Sequence, residues 1–446
     1  MGAYVIDSEL FRDQFSTAVT REIFSDLRTV QAWLDVEVAL AEAQASLGII
    51  PVASAEAIRN AGNAELYDLA EMKLEMDRTA HPIVPLVRMI ASKCADDLGQ
   101  YVHWGATTQD IIDTGMILQI RDAVEVIDAR LVTLADSLMD HAVTHAATAM
   151  PGRTHGQHAQ PVTFGYKAAI WLDEIRRHQT RLDEMRPRLL VGQFGGAVGT
   201  LAALGDQGFA VRAKLMEILE LGEPAITWHT ARDRLVELIS LMAMIAGSCG
   251  KIAHEVYLMQ KTELQEVEEP NPSGKVGSST MPHKRNPAIC EGIVALARTV
   301  RSSVPLAFET LIGEHERDKI SLQTEREFIS RTICQTDAAL AKTIVVCEGL
   351  DVRAANMRRN LDITKGLTLS EAVMMALGEK LGRQKAHDIL HAACTTAFKE
   401  NTTMRDALMQ LTEVTDVLGD DEIDALLDPE AYIGLAARMA RDVAEG

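Results

Sequence analysis

The sequence predicts an all-α fold, a helical subunit in three parts around a central bundle of long helices. Three observations carry this. Ile117, Ile120, Val124, Ile127, Leu131, Leu134 and Leu138 step by three and four, as do Leu235, Leu238, Met242, Ile245, Cys249, Ile252, Val256 and Met259. Each set is an a/d seam held for about three heptads. No proline falls between Asp110 and Met150, which permits a helix of roughly 60 Å at ~1.5 Å per residue. Apolar residues make up 47% of the 446 positions and aromatics only 4%, with Ala, Leu, Ile, Met and Glu abundant. That balance favours helices packed on helices.

The parts follow in order. Residues 1–104 form a smaller helical segment. It contains "TVQAWLDVEVALAEAQASLG", an amphipathic helix ended by Gly48 and then Pro51. Residues 105–350 form the bundle, with long helices also expected over 162–186 and after Pro287. Residues 351–446 begin a third unit at "MRRNLDITKGLTLSEAVMMALGEKLG", where Thr368 and Ser370 are plausible helix caps. Strand signals are few; "PRLLVGQF" reads as one short extended piece. Helices this long bundle, and their a/d faces are expected to continue into an oligomer core.

The net charge of −20 argues against a nucleic-acid surface, which needs a basic face. It leaves open a locally basic site for a small substrate. Six scattered cysteines without a CxxC fit reduced thiols in a cytoplasmic protein. The charged N-terminus "MGAYVIDSELFRDQF" has no apolar h-region. The longest apolar run, 238–250, is shorter than the ~20 residues that span a bilayer.

Four polar constellations interrupt the helical pattern: "HWGATTQD" at 103–110, "GRTHGQHAQP" at 152–161, "WHTARDR" at 228–234 and "VGSSTMPHKRNP" at 276–287. Pro282 and Pro287 keep the last out of a helix interior. All four are expected at or near helix ends, where free N–H groups and the helix dipole suit anions. Their hydroxyls, imidazoles, amides, Lys284 and Arg285 suit binding a dicarboxylate and moving protons. His155 and His158 lie three apart, but no carboxylate or Cys completes a metal set, so no metal is expected. "GQFGGAVG" at 192–199 imitates a dinucleotide turn without a βαβ context. "ELQEVEEP" at 263–270 reads as a solvated loop.

"GSSTMPHKRNP" closely resembles the signature loop of the fumarase/aspartase superfamily, and "HWGATTQD", "GRTHGQHA" and "ERDKISLQTER" match other segments of it in order. The resemblance implies a nearly all-helical subunit and a homotetramer whose bundles pack together, each active site drawing on three subunits. It places the signature loop at 270–287. It implies no cofactor, and a small dicarboxylate or tricarboxylate substrate. Family chemistry is anti β-elimination on a succinyl group. By resemblance Ser278 is the base, Lys284 stabilises it and the developing charge, and His155 is the general acid. Lys284 and Asn286 hold one carboxylate, and Thr107, Thr108 and Gln109 the other. His81, His103, Thr154, Ser279, Met281, Arg317 and Arg326 complete the substrate contacts, with His81 and His103 as further candidates for the acid.

Two branches of the superfamily compete. "RPRLLVGQFGGAVGTLAALG", "WHTARDRLVE" and "MRRNLDITKGLTLSEA" resemble the 3-carboxymuconate cycloisomerases. His155, His81 and Arg326 resemble adenylosuccinate lyase instead. A cycloisomerase adds a carboxylate to an alkene and has no amine to protonate, so His155 favours a C–N lyase that releases fumarate. The serine-rich run that helps bind nucleotide phosphate in that lyase is here Ile320, Ser321, Leu322 and Gln323. A smaller N-substituted aspartate is therefore expected, with 3-carboxy-cis,cis-muconate cycloisomerisation as the alternative.

Overall fold

A computed structural model describes residues 4–271, 280–281 and 283–446. The fold is all-helical apart from two short ladders among the described residues. The principal elements are α1 (Asp26–Ser46), α2 (Leu69–Thr79), α3 (Ile83–Lys93), α4 (Thr108–Thr144), β1 (Ala149–Thr154), β2 (Gln157–Thr163), α5 (Phe164–Leu189), α6 (Asp233–Met259), β3 (Val267–Glu268), α7 (Ala288–Ser302), α8 (Ile320–Glu348), β4 (Asp351–Val352), α9 (Ser370–Leu381), α10 (Arg383–Glu400) and α11 (Ala436–Glu445).

The periodicity is realised. α4 runs for 37 residues and α6 for 27, and every residue of both seams is at most 1% exposed. The seams are thus closed within the chain itself. α1 ends as expected, with Gly48 at φ +72°, a left-handed turn that glycine adopts without strain. α6 is long and apolar enough by itself to cross a bilayer, although the apolar run alone is not, and 72% of its most apolar window is buried within the chain.

The chain divides into two compact units. One comprises Met1–Leu131, His178–Cys249 and Ala295–Ala341; the other comprises Val132–Arg177, Gly250–Val294 and Lys342–Gly446. In the first, Ala243, Ala246, Ala297 and Val300 pack α6 on α7. In the second, one core joins α9 and α10 through Val373, Leu377, Ala386 and Leu390. Another seats α11 by Ala440 and Ala444 on Ala142, Ala146 and Ala168. All six cysteines are free thiols, five of them buried.

Four local expectations are corrected. The "GRTHGQHAQP" segment, where no strand was expected, is an antiparallel hairpin, β1–β2, between the end of α4 and the start of α5. Its register slips between Pro151 and Arg153, at Gly152, where an added Cβ would lie 2.6 Å from the Gln160 carbonyl oxygen. "PRLLVGQF" begins inside α5, and only Val191 makes a single bridge, to Gly222. Neither Thr368 nor Ser370 is an N-cap; Ser370 closes the short helical turn Leu367–Leu369 and is already the first residue of α9.

The acidic run is the fourth. Glu266, Glu268 and Glu269 are 0%, 8% and 3% exposed. Glu266 accepts from both arms of Arg153 at 2.5 and 2.9 Å and from Asn360 at 2.9 Å. Glu269 accepts from the backbone N–H of Ile289 at 3.1 Å and of Cys290 at 2.9 Å. Those are orphan donors of the first turn of α7. These three are buried because each carboxylate finds cations or amides distant in sequence, while Glu263 at the start of the run is exposed as expected.

Candidate active site

The first unit builds one site from the start of α4. Asp110, fully buried, accepts from Thr107 N at 3.0 Å, Gly195 N at 3.0 Å and Gly196 N at 2.9 Å. His229 Nε2 lies 2.8 Å from the same carboxylate, so this nitrogen carries the proton and donates. The glycine-rich 192–199 segment therefore docks its backbone on a carboxylate. Gly196 has φ +73°, which lets two successive N–H groups turn toward one acceptor.

One turn along, Asp113 anchors a buried ion cluster. Arg232 is 1% exposed and forks onto Asp113 at 2.8 and 3.0 Å and onto Glu325 at 2.5 and 2.7 Å. Burial opposes the charge on Arg232, yet Asp113 and Glu325 outweigh it and raise its pKa. Burial raises the pKa of Glu325 more than Arg232 lowers it. The cluster fixes α4 against the starts of α6 and α8, and hence the residues at the mouth.

That mouth is a cleft of about 660 Å³. It gathers His81, Thr107, Thr108, Gln109, Arg317 and Arg326, six of the residues assigned by resemblance. Arg317 donates to Thr107 Oγ1, and Thr108 Oγ1 lies 3.2 Å from His81 Nε2. His81 sits between α2 and α3. Burial, then the charges of Lys319, His103 and Arg317, lower its pKa from 6.5, so it is neutral at pH 7 and able to accept a proton. Three cations line the cleft, Arg317, Lys319 and Arg326, against Asp77 and Asp318. Lys319, Asp318 and Asp77 escaped the sequence reading because only the α2–α3 turn and the α8 entry, far apart in the chain, bring them together.

Gln109 is 2% exposed. Its Nε2 donates to Asp113 Oδ2 at 3.0 Å and to the His229 carbonyl at 2.8 Å. Both partners are acceptors, which fixes the amide orientation. Its Oε1 is buried with no hydrogen-bond partner. Ser321 is buried and donates to the Thr310 carbonyl at 3.0 Å, so its hydroxyl is already engaged, and Leu322 lines the cleft.

His103 does not line this cleft. It sits at φ +63° and its Nδ1 is 2.6 Å from Glu37 Oε1. Burial lowers its pKa, but the charge of Glu37 and the hydrogen bond to it prevail and raise it above 6.5. A histidine whose pKa is raised on folding adds stability that is complete below 6.5 and fades as pH climbs through the raised value. His103→Gln is therefore expected to lower the thermal midpoint most in mildly acidic buffer, with the deficit shrinking toward alkaline pH. Melting curves of the variant and the parent across that range check this.

The second unit carries the remaining assigned residues. Thr154 ends β1, and His155 occupies the exposed hairpin tip at φ +52°. Met281, Lys284 and Asn286 precede α7, with Met281 and Lys284 exposed. Lys284 and Asn286 line a second cavity, of about 1060 Å³. Ser278 and Ser279 lie outside the described residues.

A family model described as "Lyase" matches residues 10–302, and one described as the adenylosuccinate lyase C-terminus matches 366–443. The N-acetyl-S-(2-succino)cysteine lyase of Enterococcus italicus is 40% identical over 99% of this chain and 97% of its own length. The 3-carboxy-cis,cis-muconate cycloisomerase of Pseudomonas aeruginosa is 43% identical over 98% of this chain and 96% of its own. Among solved structures, the 3-carboxy-cis,cis-muconate lactonizing enzyme of Pseudomonas putida has a TM-score of 0.93 at 42% identity, covering 98% of each chain. A fumarate lyase from Mesorhizobium sp. BNC1 has 0.91 at 40%, covering 97% of this chain and 98% of that one.

Proposed function

The chain belongs to the fumarase/aspartase superfamily of lyases, and from that premise we propose that it cleaves the C–N bond of an N-substituted aspartate and releases fumarate. His155 carries this reading: a departing nitrogen needs a proton, and the imidazole stands exposed at the hairpin tip, where it can supply one. Arg317, Arg326, Thr107 and Thr108 supply the cations and hydroxyls that a succinyl carboxylate needs.

In this reading a base, Ser278, takes the proton from the carbon next to one carboxylate. The electron pair moves into that carboxylate as an aci-dianion, held by Lys284 and Asn286. The pair then forms the alkene as the C–N bond breaks, and His155 delivers a proton to the departing nitrogen. The substrate is small, because Ser321 is engaged and Leu322 is apolar where a phosphate would need donors. We place the enzyme in the cytoplasm as a homotetramer without a cofactor; light scattering on the purified protein tests the assembly.

The test is fumarate release, read by ultraviolet absorbance, from iminodisuccinate, argininosuccinate, adenylosuccinate and an S-(2-succinyl)cysteine. The smallest amine conjugate is expected to turn over best. Arg317→Gln is expected to raise KM for it at least about tenfold, the order of one charge-assisted hydrogen bond from the cleft lining. Efficient turnover of adenylosuccinate with little on smaller amines would sink the size argument. The thioether alone reacting would move the leaving atom to sulfur, as the name of the Enterococcus relative suggests. The second reading is 3-carboxymuconate lactonisation, favoured by the 43% identical Pseudomonas relative. Lactone formation without fumarate from any conjugate would establish it.

A further inference from the structure

Resting on the lyase reading, we infer that Glu268 is a positioning residue that acts through Arg285 to set the place of Lys284 and Asn286. Glu268 ends the short strand β3, which pairs antiparallel with β4, Val267 opposite Val352 and Glu268 opposite Asp351. Arg353 N donates to the Glu266 carbonyl at 2.9 Å, closing the ladder. The strand is thereby a fixed platform, and it presents the Glu268 carboxylate to two guanidinium groups. Arg285 donates to Oε1 at 2.6 Å, and Arg353 donates to Oε2. The Glu268 side chain is 10% exposed, that of Arg285 59%. The anchor is therefore the buried partner, and the arginine is the group being held.

Arg285 stands between Lys284 and Asn286 in the chain, and its hold is reinforced on both sides. Gln260 at the end of α6 donates to the Arg285 carbonyl at 3.4 Å and accepts from Glu269 N at 2.9 Å. Glu269 in turn caps α7 three residues beyond Asn286. Residues 284–290 are thus tied to 266–269 at the Arg285 side chain, its carbonyl and the α7 amides. Glu268, Lys284, Arg285 and Asn286 line the same cavity of about 1060 Å³. With two arginines on Glu268, the Lys284 ammonium keeps no carboxylate partner among the described residues, so its charge is available to a ligand. The cationic pair therefore holds geometry, and the lysine carries the field. Misplacing a charge by about 1 Å can cost on the order of 100-fold in rate.

The experiment uses the full-length enzyme and its best conjugate from the fumarate assay. Glu268→Gln is expected to lower kcat about 10- to 100-fold, with KM and thermal midpoint nearly unchanged. Arg285→Gln, on an exposed side chain that folding tolerates, is expected to give the same loss. The double variant is expected to be no worse than either single one, the signature of a shared pathway. Arg353→Gln breaks the other half of the carboxylate's pairing, and the bond to Asp351, while leaving Arg285 on Glu268; it is expected to keep kcat within about twofold, since coupling is confined to groups on one route. An active parent with undiminished kcat in Glu268→Gln and Arg285→Gln overturns the inference alone, as does a loss that tracks the thermal midpoint. A parent that releases no fumarate from any conjugate overturns the lyase reading, and this inference with it.

Discussion

Arg232→Met is expected to lower unfolding stability by about 3–5 kcal/mol, the usual cost of removing one partner from a buried ion cluster. The reason is what remains. Asp113 and Glu325 are 0% and 2% exposed and would face each other without a cation. Four hydrogen bonds of 2.5–3.0 Å vanish together. Replacing all three residues by apolar ones of similar volume is expected to recover most of the loss, because the desolvation of three charges disappears with the pairing. Denaturant midpoints of the single and triple variants measure both. The single variant should also raise KM, since Asp113 fixes the Gln109 amide. A single variant as stable as the parent would mean that solvent reaches the cluster.

His155→Ala is expected to lower kcat for an amine conjugate by roughly 10²–10⁴-fold, the range of general acid catalysis. It should barely change the melting temperature, because the side chain is exposed at a hairpin tip. The sharper form of the prediction is a contrast between leaving groups. An amide-like or amine nitrogen cannot depart as an anion and needs the proton. A thiolate, from a thiol of pKa near 8.5, departs without one. The same variant should therefore lose far less against an S-(2-succinyl) thioether. Equal losses on both conjugates would assign His155 to binding, and no loss on either would assign it to the hairpin alone.

The long helices were legible because burial imposes a period on each element separately. The 117–138 seam needs no knowledge of its neighbour to be read. The polar core was legible only as unusual residues. "WHTARDR" stands out in the sequence, but nothing local says that His229 belongs to Asp110 and Arg232 to Asp113 and Glu325, more than ninety positions away. The acidic run failed for the same reason. Glu266, Glu268 and Glu269 look like solvated charge until Arg153, Asn360, Arg285 and the α7 amides arrive from elsewhere. The hairpin at 149–163 was hidden by its composition, since prolines and glycine at a register slip mask the alternation of a strand. Six cleft residues were named from motifs alone. Their convergence depends on the α2–α3 turn and the entry to α8, which no motif encodes.

The thiols have a practical consequence. Burial raises the pKa of Cys94 and Cys394 and pushes that of Cys334 up to about 11, so little reactive thiolate forms on them at neutral pH. A single cysteine introduced at the cleft, in place of Met76 for example, would stand out chemically against that quiet background. A fluorophore attached there would report occupancy of the cleft directly, for any conjugate, whether or not turnover follows.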